Sequence, residues 1–320
     1  MQNINKENLQ AFITEQKENW PLAKNNYKGL EKVEEKEFQF EGFKIKVQFN
    51  PERITSTAAK VDKEAIEKRP CFLCEENRPI EQGKIDLENN YCLLVNPFPI
   101  LKEHFTITKN DHTDQSFVEY IADMVSLSKT LEGYSVFYNG PKSGASAPDH
   151  MHFQAGENNF MPIDTEYFDR KKNYGKLVTW NGRFEVYRFN HYLRKMISIE
   201  ADRAQDIVSA SKIFYRFLEK IQANEKEPLL NAICVYKHNK YRLYIFPRKL
   251  HRPSQFFSEG NEQLLISPGA VDMGGVIITP RKEDFDKITK EDIESIYKQV
   301  SLDDLVFDKL CQDFTKLVMP

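Results

Sequence analysis

Between Glu37 and Asn50 the chain alternates apolar and polar side chains: Phe38, Phe40, Phe43, Ile45, Val47 and Phe49 are set among Glu, Gln and Lys. A period of two marks a half-buried strand, and Glu41-Gly42 near its middle predicts a β-hairpin. Residues 4–19 carry Leu9, Phe12 and Ile13 at helical spacing, which predicts a helix. Further on, two short apolar runs, Tyr91–Asn96 and His104–Thr108, read as strands, the first ended by Pro97. Ser116–Leu131 has apolar residues at helical spacing and no Gly or Pro, so a helix is expected there. Tyr134–Tyr138 reads as a strand. A loop rich in Gly, Ser and Pro, Asn139–Asp149, leads into a last expected strand, His150–Gln154.

The second half follows the same order more loosely. Strands are expected at Phe184–Phe189, Asn231–Tyr236, Tyr241–Phe246 and Val276–Thr279, and helices at Ala201–Ala223 and along Lys290–Lys316. In both halves, strand pairs are separated by one long helix. That repetition predicts an α+β fold of two related units with antiparallel sheets, divided near residues 160–180 into 1–165 and 166–320.

Composition narrows the class. The chain has 320 residues, 40% of them hydrophobic and 29% charged, which is a globular balance. The net charge of -3, with both signs interspersed, gives no reason to expect nucleic acid or a membrane as partner. The start lacks the apolar core of a signal peptide, and no window approaches the roughly 20 apolar residues of a membrane span, so the cytoplasm is the expected location. Five sparse Cys do not read as a disulfide framework. Cys92, Cys234 and Cys311 lie in apolar stretches and are expected in the core.

Candidate chemistry concentrates in His150-Met151-His152-Phe153-Gln154. On a strand, His150, His152 and Gln154 would share one face while Met151 and Phe153 turn to the core. Neutral imidazole is a good nucleophile near pH 7, and its phosphoramidate is itself reactive. An amide such as that of Gln154 can hold a phosphoryl oxygen. The preceding loop, with Gly140, Gly144 and Ser146, lets backbone N–H groups approach a phosphate closely. A pair of surface or metal-binding His fits the pattern alone about as well. Cys71 and Cys74 are spaced to share one zinc ion, with His112 and His150 as candidate partners, although buried or redox thiols would look the same. Arg248-Lys249-Leu250-His251-Arg252 could clamp a phosphate or form a solvated basic turn. The roles of His104, His251 and Asp272 stay open.

Taken in order, Cys71-x-x-Cys74, Asp111-His112, Asn139, the small-residue loop and His150-x-His152-x-Gln154 resemble the galactose-1-phosphate uridylyltransferase branch of the histidine triad (HIT-like) superfamily. That branch also includes phosphorylases of GDP-L-galactose and of diadenosine tetraphosphate. The clear resemblance covers residues 69–156. It implies an enzyme, a nucleotidyltransferase or phosphorylase acting on a nucleotide sugar or dinucleotide through a nucleotidyl-histidine. By the resemblance, His152 is the nucleophile and Gln154 its phosphate partner. Asn139 and Ser146 help hold the α-phosphate, while Gly144, Arg248 and Lys249 are candidate substrate-binding residues from the residue pattern alone. Cys71, Cys74, His112 and His150 form a structural zinc site, and a homodimer is implied. The chain departs from the family in having Met151 and Phe153 where Pro and Gly are usual, and Phe153 tilts the reading towards a phosphate rather than a sugar-phosphate acceptor. Two rivals remain: a hydrolase of nucleotide conjugates, and a zinc-stabilised nucleotide-binding protein without catalysis.

Overall fold

The hairpin expected at Glu37–Asn50 forms β1 (Glu34–Phe40) and β2 (Phe43–Phe49), with Gly42 at φ 71° in the turn, where a side chain would be strained. In this computed structural model the described residues are 4–58, 63–189 and 191–318. β13 (Val276–Thr279) adds to β2 in parallel, closing a three-stranded sheet.

The other strands form one antiparallel sheet of ten. They are β3 (Lys84–Leu87), β4 (Tyr91–Val95), β5 (His104–Lys109), β6 (Tyr134–Asn139), β7 (His152–Glu157), β8 (Gly175–Trp180), β9 (Phe184–Phe189), β10 (Ile197–Ala201), β11 (Leu230–Lys237) and β12 (Lys240–Pro247). Across the sheet the order is β3-β4-β5-β7-β6-β11-β12-β10-β9-β8. Read outward from the central β6–β11 pair, each half gives the same sequence of connections. The long helices Phe117–Thr130 and Ala204–Ile221 occupy equivalent places, each between the third and fourth strand of its half.

One face of the large sheet is covered by these two helices and by Asp304–Val318, around Phe105, Val136, Phe153, Cys234, Leu243, Phe214 and Phe314. The opposite face packs on the three-stranded sheet and on helices Pro162–Tyr174 and Lys290–Val300. Both cores draw residues from both halves, so neither half has a core of its own.

This second face differs between the halves in a way that decides where a site can be. In the C-terminal half it presents Ser198, Tyr244, Glu200 and Arg242, and helix Pro162–Tyr174 lies over them. Tyr167 Oη is 2.8 Å from Ser198 Oγ and donates to Glu200 Oε1, which also takes Lys171 Nζ at 2.6 Å. In the N-terminal half the equivalent face carries His104, Thr106, His152 and Gln154, and all but the buried His104 border open space.

Several expectations need correction. The His150–Gln154 strand begins at His152, and His150 lies in the turn before it. The Lys290–Lys316 helix is two helices, Lys290–Val300 and Asp304–Val318, broken at Ser301. β10, fully buried along its length, replaces the start of the helix expected from Ala201, and that helix begins at Ala204.

Candidate active site

His152 is 4% exposed at the start of β7. Its Nδ1 is 2.8 Å from the carbonyl oxygen of His150. A carbonyl can only accept, so Nδ1 carries the proton and Nε2 keeps its lone pair. Burial, the largest cause, lowers the pKa of His152 to about 4, which leaves the ring neutral at pH 7. The side chain borders a cavity of about 500 Å³ whose walls are mainly Trp20, Leu22, Phe72, Leu73, Pro97 and Phe98.

Gln154, two residues along and on the same face, is oriented by His104. The N–H of Ile100 donates to His104 Nδ1 at 3.2 Å, so the ring proton is on Nε2 and is given to Gln154 Oε1 at 2.8 Å. With its oxygen occupied, Gln154 can only offer NH2 outward. His104 is fully buried and its pKa is lowered to about 3, mainly by desolvation and then by the nearby Arg53 charge.

Gln154, Ser146 and Arg53 stand where the large cavity meets a smaller one of about 60 Å³. Asn139, Gly144, Ser146, His251 and Arg252 line the smaller space. Asn139 Oδ1 takes the N–H of Ala270 (2.7 Å) and the amide of Asn231 (2.9 Å), so its NH2 is what remains for a ligand. Gly144 has φ 97°, and a Cβ there would meet Gly269 Cα at 2.8 Å, so the loop can pass only as glycine. Arg252 donates from Nε to Ser267 Oγ at 3.0 Å and lies over the Phe256 ring. Asp272 is the carboxylate lining this space. Its oxygens take the N–H groups of Gly269 (2.8 Å) and Ile278 (3.1 Å). Against this one carboxylate stand the guanidiniums of Arg53 and Arg252 and the amides of Asn139 and Gln154, donors that suit an anion.

Arg248 and Lys249 do not join them. Arg248 is fully buried and donates to Asn231 Oδ1 (2.6 Å) and to the carbonyls of Pro268, Leu250, His251 and Val300. Lys249 pairs with Asp303 at the surface. The chain leaves β12 through an isolated bridge from Arg248 to Ser301, which turns Arg248 inward and brings His251 and Arg252 to the cavity instead.

Cys71, Cys74, His112 and His150 come together, with one ligand atom of each within 4.8 Å of the others. Nδ1 of His150 is 3.3 Å from Cys71 Sγ, and Nδ1 of His112 is 3.2 Å from Cys74 Sγ. His150 Nε2 is 2.8 Å from the carbonyl of Lys109, which places its proton there and frees Nδ1 for a metal. Two sulfurs and two imidazole nitrogens in one cluster match the donor set of a tetrahedral zinc site.

Sequence reasoning missed Arg53 and Gln115, and within the basic run after β12 it favoured Arg248 and Lys249, whereas the structure brings His251 and Arg252 to the cavity. Arg53 reaches the cavities from a segment far from that run and belongs to no motif. Arg53 also donates to the Phe98 carbonyl at 2.7 Å, and burial lowers its pKa only to about 10, so it stays charged.

Comparison with known proteins gives concordant results. Residues 12–157 match a family described as a domain of unknown function, DUF4922, and residues 168–319 match a family described as the GDPGP1-like C-terminal domain. The chain is 27% identical over 221 residues to Protein APA1 of Saccharomyces cerevisiae, covering 63% of this chain and 65% of that protein, slightly under two thirds of its length. Yeast Ap4A phosphorylase Apa2 in complex with Ap4A superposes with a TM-score of 0.63 at 19% identity, covering 93% of this chain and 99% of that one. The same enzyme in complex with AMP superposes at 0.59 and 17% identity, covering 93% and 98%. At these identities the structural likeness speaks for the fold. Among the described residues no helix is long and apolar enough to cross a membrane.

Proposed function

We propose, from the premise that this chain belongs to the HIT-like branch of Ap4A phosphorylases and galactose-1-phosphate uridylyltransferase-like proteins, that it is a phosphorylase of a dinucleotide or nucleotide sugar. The observation that carries the reading is the fixed tautomer of His152, which leaves a buried, neutral Nε2 lone pair beside the large cavity, two residues from Gln154 at the junction of the two. A cavity of about 500 Å³ with apolar walls suits a nucleoside. The smaller basic space suits the phosphate beyond it.

In this reading the α-phosphorus of the substrate sits beside His152. Nε2 attacks, an N–P bond forms, and the P–O bond to the distal phosphate breaks, releasing a sugar phosphate or a nucleotide. Gln154 NH2, Asn139 NH2, loop N–H groups and Arg53 face the charge that grows on the phosphoryl oxygens. The Nδ1 proton stays with the His150 carbonyl and steadies the cationic adduct. Inorganic phosphate then attacks the phosphorus, the N–P bond breaks, and a nucleoside diphosphate leaves. In this reading the acceptor is inorganic phosphate, a compact anion suited to Arg53, Arg252 and the amides of Asn139 and Gln154 beside the smaller space.

Cys71, Cys74, His112 and His150 would hold zinc with every coordination position filled by protein, a staple rather than a Lewis acid. A reducing compartment such as the cytoplasm would keep the thiols free, as all five Cys are here. The two halves, 1–165 and 166–320, are in this reading one duplicated unit whose second site is filled by Tyr167 and Lys171. The function is tested by supplying a dinucleotide or nucleotide sugar with phosphate. A nucleoside diphosphate product is expected. Nucleoside monophosphate alone, with phosphate ignored, would make water the acceptor and overturn the phosphorylase reading.

A further inference from the structure

β6 and β7 are paired from Tyr134↔Glu157 to Phe137↔Gln154, and the same register would continue through Tyr138 opposite Phe153 to Asn139 opposite His152. The ladder stops short of these pairs, and at Asn139 and His152 a side chain takes its place. Gln115, 4% exposed, accepts the His152 N–H at Oε1 (2.9 Å) and donates from Nε2 to the carbonyls of Asn139 (3.0 Å) and His152 (3.2 Å). One amide thus does the work of a strand pair and wedges the strands apart where the phosphate loop departs. It also grips the backbone of the nucleophile and of Asn139 at once.

The segment that carries Gln115 starts at the metal cluster. Lys109 O accepts from His150 Nε2, His112 is in the cluster, Thr113 O accepts the Met151 N–H (2.6 Å), and the Gln115 N–H donates to Pro148 O (3.1 Å). Residues 109–115 therefore run beside 148–152 as a splint, with Gln115 at the end nearest the chemistry.

We propose that Gln115 is a positioning residue, which sets the distance between the His152 imidazole and the phosphate held by Asn139 and the loop. It touches no substrate, so it should act on the chemical step and not on nucleotide binding. This rests on the nucleotidyl-histidine reading of the site.

The test uses the full chain and three near-isosteric variants. Gln115→Met keeps the volume and loses every hydrogen bond. Gln115→Glu can still accept the His152 N–H but cannot donate. Gln115→Asn is too short to span the gap. Expected is a loss of about 10- to 100-fold in the single-turnover rate of adduct formation for Gln115→Met, with nucleotide affinity and metal content within about twofold of the parent. Gln115→Glu should retain more of the rate than Gln115→Met, because it keeps the hydrogen bond to the nucleophile's own N–H. Hydrogen exchange at the His152 amide should quicken in Gln115→Met, a readout that does not depend on catalysis. Parent-like rate and exchange in Gln115→Met would overturn the proposal, as would losses in rate that only track lost metal or lost fold. If the parent itself forms no adduct, the nucleotidyl-histidine reading falls, and unchanged exchange at His152 would then still reject the role of Gln115 separately.

Discussion

Phe153 lies 1% exposed with the rings of Tyr91 and Tyr138 each 6.0 Å away. It is a core residue facing away from both cavities, so it cannot choose an acceptor. The sequence-based preference for phosphorolysis on its account has no contact behind it, and the guanidinium and amide donors beside the smaller cavity support it instead. Phe153→Ala should cost ~3–5 kcal/mol of stability by leaving a hole beside two aromatic rings. Among molecules that remain folded, the ratio of phosphorolysis to hydrolysis should be unchanged, which product analysis below the melting range would check. His104 makes a second residue-scale prediction. Its folded pKa of about 3 lies below the ordinary value of 6.5, so between those values the unfolded chain binds one more proton than the folded one. Stability is therefore full above about pH 6.5 and falls as the pH drops, by ~1.4 kcal/mol per unit for this one group, until the ring itself protonates. His104→Gln should flatten the slope of unfolding free energy between pH 4 and 6 by about one proton.

At the scale of elements, patterns with two different faces were legible. The β1–β2 alternation and the helix Phe117–Thr130 announce themselves because one side meets water. β10 did not: Ile197-Ser198-Ile199-Glu200-Ala201 alternates, but over only five residues that run almost directly into a long helix, so the short strand was absorbed into the helical pattern. Helix Pro162–Tyr174 was hidden for a different reason. Its inward residues include Arg170 and Lys171, polar groups that bind carbonyls and carboxylates from other elements, so no apolar stripe marks it. The site divides the same way. Cys71, Cys74, His112, His150, His152 and Gln154 are encoded as local motifs and do converge. His150 does so from a turn and not from the strand face, because its ring goes to the cysteines. Arg53 and Gln115 reach the site through distances that only the folded chain creates, and only the fold shows that Arg252 and not Arg248 of the basic run lines the cavity. The metal-binding element makes its own prediction. Metal analysis should find about one zinc per chain, and Cys71→Ser should lower the melting temperature and the metal content together, with the loss reversed in part by added zinc.

For the whole molecule, the question is why two halves are needed for one site. Arg248 and Asn231 answer part of it. Asn231 Nδ2 donates to Asn139 Oδ1 and to the Ser143 carbonyl (2.6 Å), and Arg248 holds Asn231 while gathering the carbonyls of three C-terminal segments. The loop proposed to hold the phosphate, in the first half, is thereby built on the second. Arg248→Met would leave several buried carbonyls without donors, and a loss of ~3–5 kcal/mol is expected, together with much reduced activity. The neighbouring Lys249→Ala should stay within ~0.5 kcal/mol of the parent and keep its activity, because its partner Asp303 is at the surface. Denaturant melts and turnover of the two variants side by side would show whether adjacent basic residues divide in this way. The filled face of the C-terminal half, where Tyr167 and Lys171 meet Glu200, is why the proposed site has no counterpart at the equivalent place there.

The central claim is that His152 Nε2 carries the nucleotide between two phosphates. Intact-mass analysis after mixing the protein with a dinucleotide or nucleotide sugar, with phosphate left out, tests it most directly. The account predicts a nucleoside monophosphate adduct that maps to His152, disappears on adding phosphate with release of a nucleoside diphosphate, and never forms in His152→Ala. Turnover that persists in His152→Ala, or an adduct on another residue, would contradict it.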